Sequence, residues 1–121
     1  MSATDAASRL DTARTLLSHG LAGAHLEPAE PDPAVDEVDA LAGFGALVSG
    51  RDVRLSVYVL DAWGLGHDRE DALRARAEAN HRLPAVAVNG YLLFVGTVGA
   101  DSPPGDRFLL SDLCSAFAGR E

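Results

Sequence analysis

Cysteine is the residue type that most limits the chemistry of this chain. Its 121 residues include a single cysteine, Cys114. Dithiol–disulfide exchange needs two thiols, and so does a structural disulfide within the chain. Cys114 stands three residues before Phe117 on a predicted final helix, and this spacing directs it toward the core. We therefore interpret Cys114 as a structural residue rather than a reactive one.

Histidine is the next residue type that could carry chemistry. The four histidines are His19, His25, His67 and His81. No two stand four residues apart, as two metal ligands on one helix face would. A hard or borderline metal ion could be held by His25, Glu27 and Glu30 if their loop folds back, because imidazole and carboxylate groups suit such ions. The alternative is a solvated loop. His81, at a predicted helix end, is either a C-cap residue or a group that titrates near neutrality.

A third group of residues follows the clearest predicted strand. Asp61, Trp63 and His67 stand at its carboxyl end, where ligands gather in open α/β sheets. Asp61 and His67 are candidates for an acid–base pair, although residue types without geometry do not establish one. Trp63, the only tryptophan, is flanked by glycine and predicts a contact surface, since tryptophan is favoured in interface hot spots. Its alternative is ordinary packing on the core.

Composition excludes several partners. The formal charge is −8, from 18 acidic residues against ten basic ones, all arginine. An acidic surface repels phosphate backbones, so we expect no nucleic-acid partner. No apolar run approaches the roughly 20 residues of a membrane helix. The first 20 residues lack an apolar signal segment, so we expect a cytoplasmic protein without membrane association.

The elements that must position these residues follow from periodicity and punctuation. Helices are predicted over residues 4–18, from 32 to about 50, 68–80 and 111–118. Strands are predicted over 22–27, 53–60, 85–88 and 91–95. Asn89-Gly90 between two apolar runs predicts a β-hairpin with a type I′ turn. A strand, a crossover helix and a further strand indicate a mixed sheet covered by helices, in a single domain spanning 1–121.

From Val53 to Phe117 this order resembles the second half of a thioredoxin-like domain. The resemblance rests on Leu83-Pro84-Ala85-Val86, on Val88-Asn89-Gly90 and on the apolar run from Leu92 to Gly96. It implies a cis peptide bond before Pro84, which would face a ligand groove. The segment from Arg82 to Gly96 is most similar to the small arsenical-resistance metallochaperone and repressor family. It is also similar to glutaredoxins and to the N-terminal domain of glutathione transferases.

The chain departs from that family in two places. The loop that carries the family's cysteines corresponds here to Glu27 to Asp32 and has none, so redox and metalloid-carrier activities do not carry over. The predicted helix within residues 1–20 is an addition to the family's minimal fold. The resemblance therefore implies a thioredoxin-like α/β fold, with a mixed sheet flanked by helices and an additional N-terminal helix.

Two functions are consistent with these observations. The first is a redox-inactive accessory or protein-interaction domain, which binds a protein partner or itself. The alternative is a small-ligand or metal-binding module that uses a groove formed by Pro84, His81, Glu27 and Trp63. The metal candidates within it are His25, Glu27 and Glu30. We predict no resident cofactor, and we regard an enzyme built on Asp61 and His67 as the least supported reading.

Overall fold

The computed structural model describes residues 3–21 and 23–118. The three α-helices are α1 (Ala3–Ser18), α2 (Glu70–Ala79) and α3 (Pro104–Phe117). The five strands are β1 (Leu26–Ala29), β2 (Ala42–Val48), β3 (Val53–Val59), β4 (Arg82–Asn89) and β5 (Leu92–Gly99). Two short 3₁₀ helices cover Val35–Val38 and Leu65–Arg69. Within the described residues, none of the three helices has the length and apolar character needed to cross a bilayer.

The strands form one sheet in the order β1-β2-β3-β5-β4, and all four pairings are antiparallel. The sequence predicted a mixed sheet because a crossover helix joins β3 to β4. Those two strands do run in the same direction, but the hairpin folds back so that β5 lies between them. The prediction of an α/β domain with a helix-flanked sheet and an additional N-terminal helix is confirmed.

The predicted alternation along β3 divides the core into two layers. Val53, Leu55, Val57 and Val59 are buried on one face, with apolar residues of α1 and α3. Tyr58 is buried on the other face in a smaller cluster that includes Leu73 of α2. Burial of each such side chain contributes about 1.5–3 kcal/mol, so β3 is the central strand energetically as well as in the topology.

The helix predicted from residue 32 to about 50 is wrong. That segment contains the first 3₁₀ helix and then β2, which pairs with β1 and β3. A Cβ at Gly45 would lie 2.5 Å from the carbonyl oxygen of Glu30, and one at Gly43 would lie 2.8 Å from that of Val57. These glycines allow neighbouring backbones to approach closely, which is a common role of glycine in strands. They do not belong to a helix.

Other predicted elements are confirmed with shifted ends. The final helix begins at Pro104 rather than residue 111, because proline fits the first helical turn where its missing N–H costs nothing. The first strand is Leu26–Ala29 instead of 22–27, and Ala22 lies outside the described residues. Pro28 is tolerated there because β1 is an edge strand.

Candidate functional site

The loop that follows β3 is fastened to the β4–β5 hairpin. The amide of Leu60 donates to the carbonyl oxygen of Tyr91 at 2.8 Å, and the amide of Gly64 donates to that of Gly90 at 2.9 Å. Gly64 has a φ of 73°, a left-handed conformation that favours glycine. These two backbone bonds hold the intervening residues, including Trp63, against the tip of the hairpin.

The hairpin itself is confirmed, with a turn one residue later than predicted. Asn89 pairs with Leu92, so the two-residue loop is Gly90-Tyr91 and Asn89 belongs to β4. Gly90 has a φ of 61°, but Tyr91 does not have a positive φ, so the predicted type I′ turn, which needs two positive φ values, is wrong. The side-chain amide of Asn89 donates to the carbonyl oxygen of Phe117 at 2.9 Å, which ties the hairpin to the end of α3. Tyr91 is thereby presented beside Trp63.

Trp63, Gly90, Tyr91 and Arg9 together form what we call the aromatic patch. The rings of Trp63 and Tyr91 meet edge to face, with centroids 5.6 Å apart. The guanidinium carbon of Arg9 lies 4.2 Å from the centroid of the Tyr91 ring, a cation–π geometry. Trp63 is nevertheless 75% exposed, the largest exposure among the large apolar side chains described. The indole is held in place by its neighbours while its outer surface faces solvent.

The surroundings of the aromatic patch are partly acidic. Asp61 and Asp68 are exposed on the same loop and 3₁₀ helix as Trp63. Nδ1 of His67 lies 3.2 Å from Oε1 of Glu70. The structure therefore brings His67 to Glu70 rather than to Asp61, so the predicted Asp61–His67 acid–base pair is not assembled.

The predicted ligand groove is not assembled either. Glu27 lies on β1 and Pro84 on β4, the two opposite edges of the sheet. Trp63 lies at the Gly90 end of β4, and six residues of strand place it about 20 Å from Pro84. His81 stands in the turn before β4 with a φ of 58° and is exposed. Glu27 and Trp63 are therefore distant from Pro84, and of the four residues only His81 lies near it along the chain.

Pro84 has a different role from the one the resemblance implies. Within the described residues the only cis peptide bond is Asp32–Pro33, so the bond before Pro84 is trans. The amide of Ala100 donates to the carbonyl oxygen of His81. Along an antiparallel pair of strands, hydrogen-bonded pairs of residues alternate with pairs that are not hydrogen-bonded. His81 is in a hydrogen-bonded pair, so the backbone nitrogen of Pro84, three positions later, points away from β5 and toward the open edge of the sheet. A proline there removes an unpaired donor and protects the edge from unwanted pairing.

The predicted metal ligands are not gathered. The Ser49 hydroxyl donates to Oε1 of Glu27 at 2.9 Å, and His25 is exposed beyond the start of β1. Glu30 lies past the other end of that strand. Across residues 3–21 and 23–118, no group of three or more His, Cys, Asp or Glu is arranged to hold a metal ion.

Cys114 packs against the larger core cluster from α3 and is half-buried. This placement agrees with the structural role predicted for it, although burial is incomplete. Sequence reasoning missed Tyr91 and Arg9. The Asn89-Gly90 signal marks the hairpin tip and could have pointed to Tyr91, but no local pattern connects Arg9 of α1 with a turn about 80 residues later.

No protein-family model, no curated protein and no solved structure matches this chain. The thioredoxin-like resemblance stays a prediction, and the geometry described above does not depend on it.

Proposed function

We propose that this chain is an accessory domain that binds a protein partner through the aromatic patch. The observation that carries the proposal is the 75% exposure of Trp63, an indole held by Gly90 and Tyr91 and not by the core. Trp, Tyr and Arg are the residue types most enriched in interface hot spots, and the patch brings one of each together.

The patch is also preorganised for binding. Backbone hydrogen bonds at Leu60 and Gly64 fix its loop to the hairpin. A side chain already held in one arrangement loses little conformational entropy when a partner covers it, so more of the contact energy remains as affinity. An exposed tryptophan on an unfastened loop would not have this property.

Charge indicates the chemistry of the partner. The chain carries a net charge of −8, and Asp61 and Asp68 are exposed near Trp63 in the chain. A partner with an apolar pocket bordered by basic residues matches this arrangement and is attracted at long range. A second copy of the chain is less favoured, because two copies bring the same sign of charge together.

The experiment starts from a photo-crosslinking amino acid placed at position 63. The same group at Phe108, which is 69% exposed on α3, gives the matched control. Any protein captured from position 63 alone is purified, and its affinity for the chain is measured by calorimetry. Truncation of a hot-spot residue costs about 2 kcal/mol or more, so Trp63→Ala should weaken binding roughly 30-fold.

Phe108→Ala should leave that affinity unchanged, and added salt should weaken it. Equal effects of the two substitutions contradict the proposal. So does a captured protein that fails to bind once purified. If the chain forms a stable dimer through position 63, the partner is a second copy of the chain and not a basic protein.

A further inference from the structure

A separate cleft of about 320 Å³ lies between α2 and the loop that follows β1, above β3 and β5. We call it the arginine cleft. This volume is at the lower end of the range for small-molecule sites. Three of the chain's ten arginines line it. Its polar lining residues include Arg54, Arg76, Arg82, Asn80, Ser56 and Thr97.

Two of the three arginines are held by protein groups. Arg76 donates to Oδ1 of Asp32 at 2.6 and 3.2 Å and to Oε2 of Glu37 at 3.0 Å. Arg82 donates to Oγ1 of Thr97 at 2.7 Å and to Oδ1 of Asp52 at 3.1 Å. These bonds fix both guanidinium groups and neutralise most of their charge. Arg76 and Arg82 therefore line the cleft in fixed orientations, and neither is the main group that would bind an anion.

Arg54 differs from the other two. Within the part of the chain that the structure describes, it makes no hydrogen bond or ion pair. Its register neighbours on the two adjacent strands are Leu47 and Thr97, neither of which carries a negative charge. Its planar fork of N–H donors is thus available to an anion in the cleft, and a carboxylate matches that fork with two parallel hydrogen bonds.

The cleft also has apolar walls. Leu73 and Ala77 of α2 and Val95 of β5 line one side, and Leu47 of β2 lies beside Arg54. Leu47 is 37% exposed, so apolar surface remains uncovered next to the unpaired guanidinium. A ligand that fills this space needs an apolar body as well as an anionic end.

The negative groups around the cleft limit the charge of that anion. Asp32 is already paired with Arg76, but Glu30 stands on the same side of the cleft, and Asn80 marks the C-terminal end of α2, where the helix dipole is negative. A phosphate with two negative charges would be repelled more strongly by these groups than a carboxylate with one. The single charge of a carboxylate is balanced by the positive charge of Arg54. We propose that the arginine cleft binds a small organic monocarboxylate with an apolar body.

This inference does not rest on the proposed partner interaction. Arg54 and Val59 are five residues apart on β3, so the cleft lies about 17 Å along the strand from the loop that carries Trp63. Failure at one surface leaves the other intact.

The test uses hexanoate and benzoate as probes, with hexanol and inorganic phosphate as comparison ligands. Binding to the full chain is measured by calorimetry and by the rise in melting temperature, since a ligand specific for the folded state must stabilise it. Arg54→Gln removes the unpaired fork. Arg74→Gln removes another exposed arginine, on α2 but outside the cleft, and is the matched control.

We expect a carboxylate to bind at millimolar concentration or below and hexanol and phosphate to bind more weakly. Arg54→Gln should weaken carboxylate binding by about tenfold to a hundredfold, the range for hydrogen bonds to a charged group. Arg54→Lys should retain only part of it, because lysine lacks the fork. Three results would overturn the proposal: no carboxylate binding, tighter binding of phosphate, or equal losses in Arg54→Gln and Arg74→Gln.

Discussion

The six-membered ring of the Trp63 indole lies directly above Gly90. A Cβ at position 90 would come within 2.7 Å of Cζ3 of that ring. The hairpin tip and the loop after β3 therefore fit together only because residue 90 has no side chain. This contact connects a local turn signal with the exposed indole on which the proposed interaction depends.

Gly90→Ala should displace the indole and lower stability. The substitution combines the ring clash with a left-handed φ of 61°, which costs an alanine roughly 1–2 kcal/mol. Gly50→Ala is the control, since Gly50 has a φ of 74° but nothing within 4 Å of its built Cβ. Both variants should lose stability in urea unfolding, but only Gly90→Ala should change Trp63 fluorescence. Identical fluorescence in the two variants would mean that the indole does not rest on Gly90.

Tyr58→Phe should destabilise the fold through a lost buried hydrogen bond. The Tyr58 hydroxyl donates to the carbonyl oxygen of Pro33, and both residues are buried. Burial raises the pKa of Tyr58 well above its usual value, so the hydroxyl stays protonated and able to donate. Leaving the Pro33 carbonyl unpaired should cost about 1–3 kcal/mol. Urea unfolding measures this loss, and Tyr91→Phe, at a half-exposed position, should cost much less.

The ionised side chain of Asp52 should stabilise the fold, and this stabilisation should be lost in acid. Partial burial opposes its ionisation, but hydrogen bonds from Ser102 and Arg82 and the charge of Arg82 outweigh it, so the pKa of Asp52 is lowered. A lowered folded-state pKa gives stability above the ordinary aspartate value of about 3.9, and that stability is lost as pH falls through the folded-state pKa.

Urea unfolding across this acid range tests the assignment. Asp52→Asn should be less stable than the parent at neutral pH, and the difference should shrink below about pH 4. Asp101→Asn, at an exposed position in the turn after β5, serves as the control and should change stability little at any pH. A constant difference between Asp52→Asn and the parent at all pH values would contradict the role given to Asp52.

Arg76→Gln should cost little despite its several hydrogen bonds. The side chains of Arg76, Asp32 and Glu37 are 43%, 65% and 51% exposed, so water screens their charges. Exposed ion pairs contribute about 0–1 kcal/mol, and we expect a loss in that range by urea unfolding. A loss as large as that of Tyr58→Phe would show that this contact holds α2 and the loop together more strongly than its exposure indicates.

The sequence predicts the elements whose signal is local. Alternation along β3 and the hairpin marked by Asn89-Gly90 follow from neighbouring residues alone, and both features are present, with the turn one residue later than predicted. The failed helix has the opposite cause. Its apolar spacing fits a helix. The need for glycine at positions 43 and 45 comes instead from the close backbones of β3 and of the segment after β1, and local periodicity carries no information about these distant contacts.

The candidate sites show the same division. Trp63 stands out by its type and its glycine neighbours, and it belongs to the aromatic patch. Arg9 and Arg54 do not stand out, because their positions depend on α1 reaching the hairpin tip and on α2 packing against β4 so that a cleft forms over Arg54. Pro84 was assigned through a resemblance, whereas the register of β4 explains it as protection of an edge strand.

The most direct test of the proposed function is quenching of Trp63 fluorescence by acrylamide, in the chain alone and in complex with the purified protein captured from position 63. Trp63 is the only tryptophan in this chain, so a partner variant without tryptophan makes the signal unambiguous. We expect strong quenching in the free chain, and protection with a blue-shifted emission in the complex. An indole that remains equally accessible when the partner is bound would contradict it.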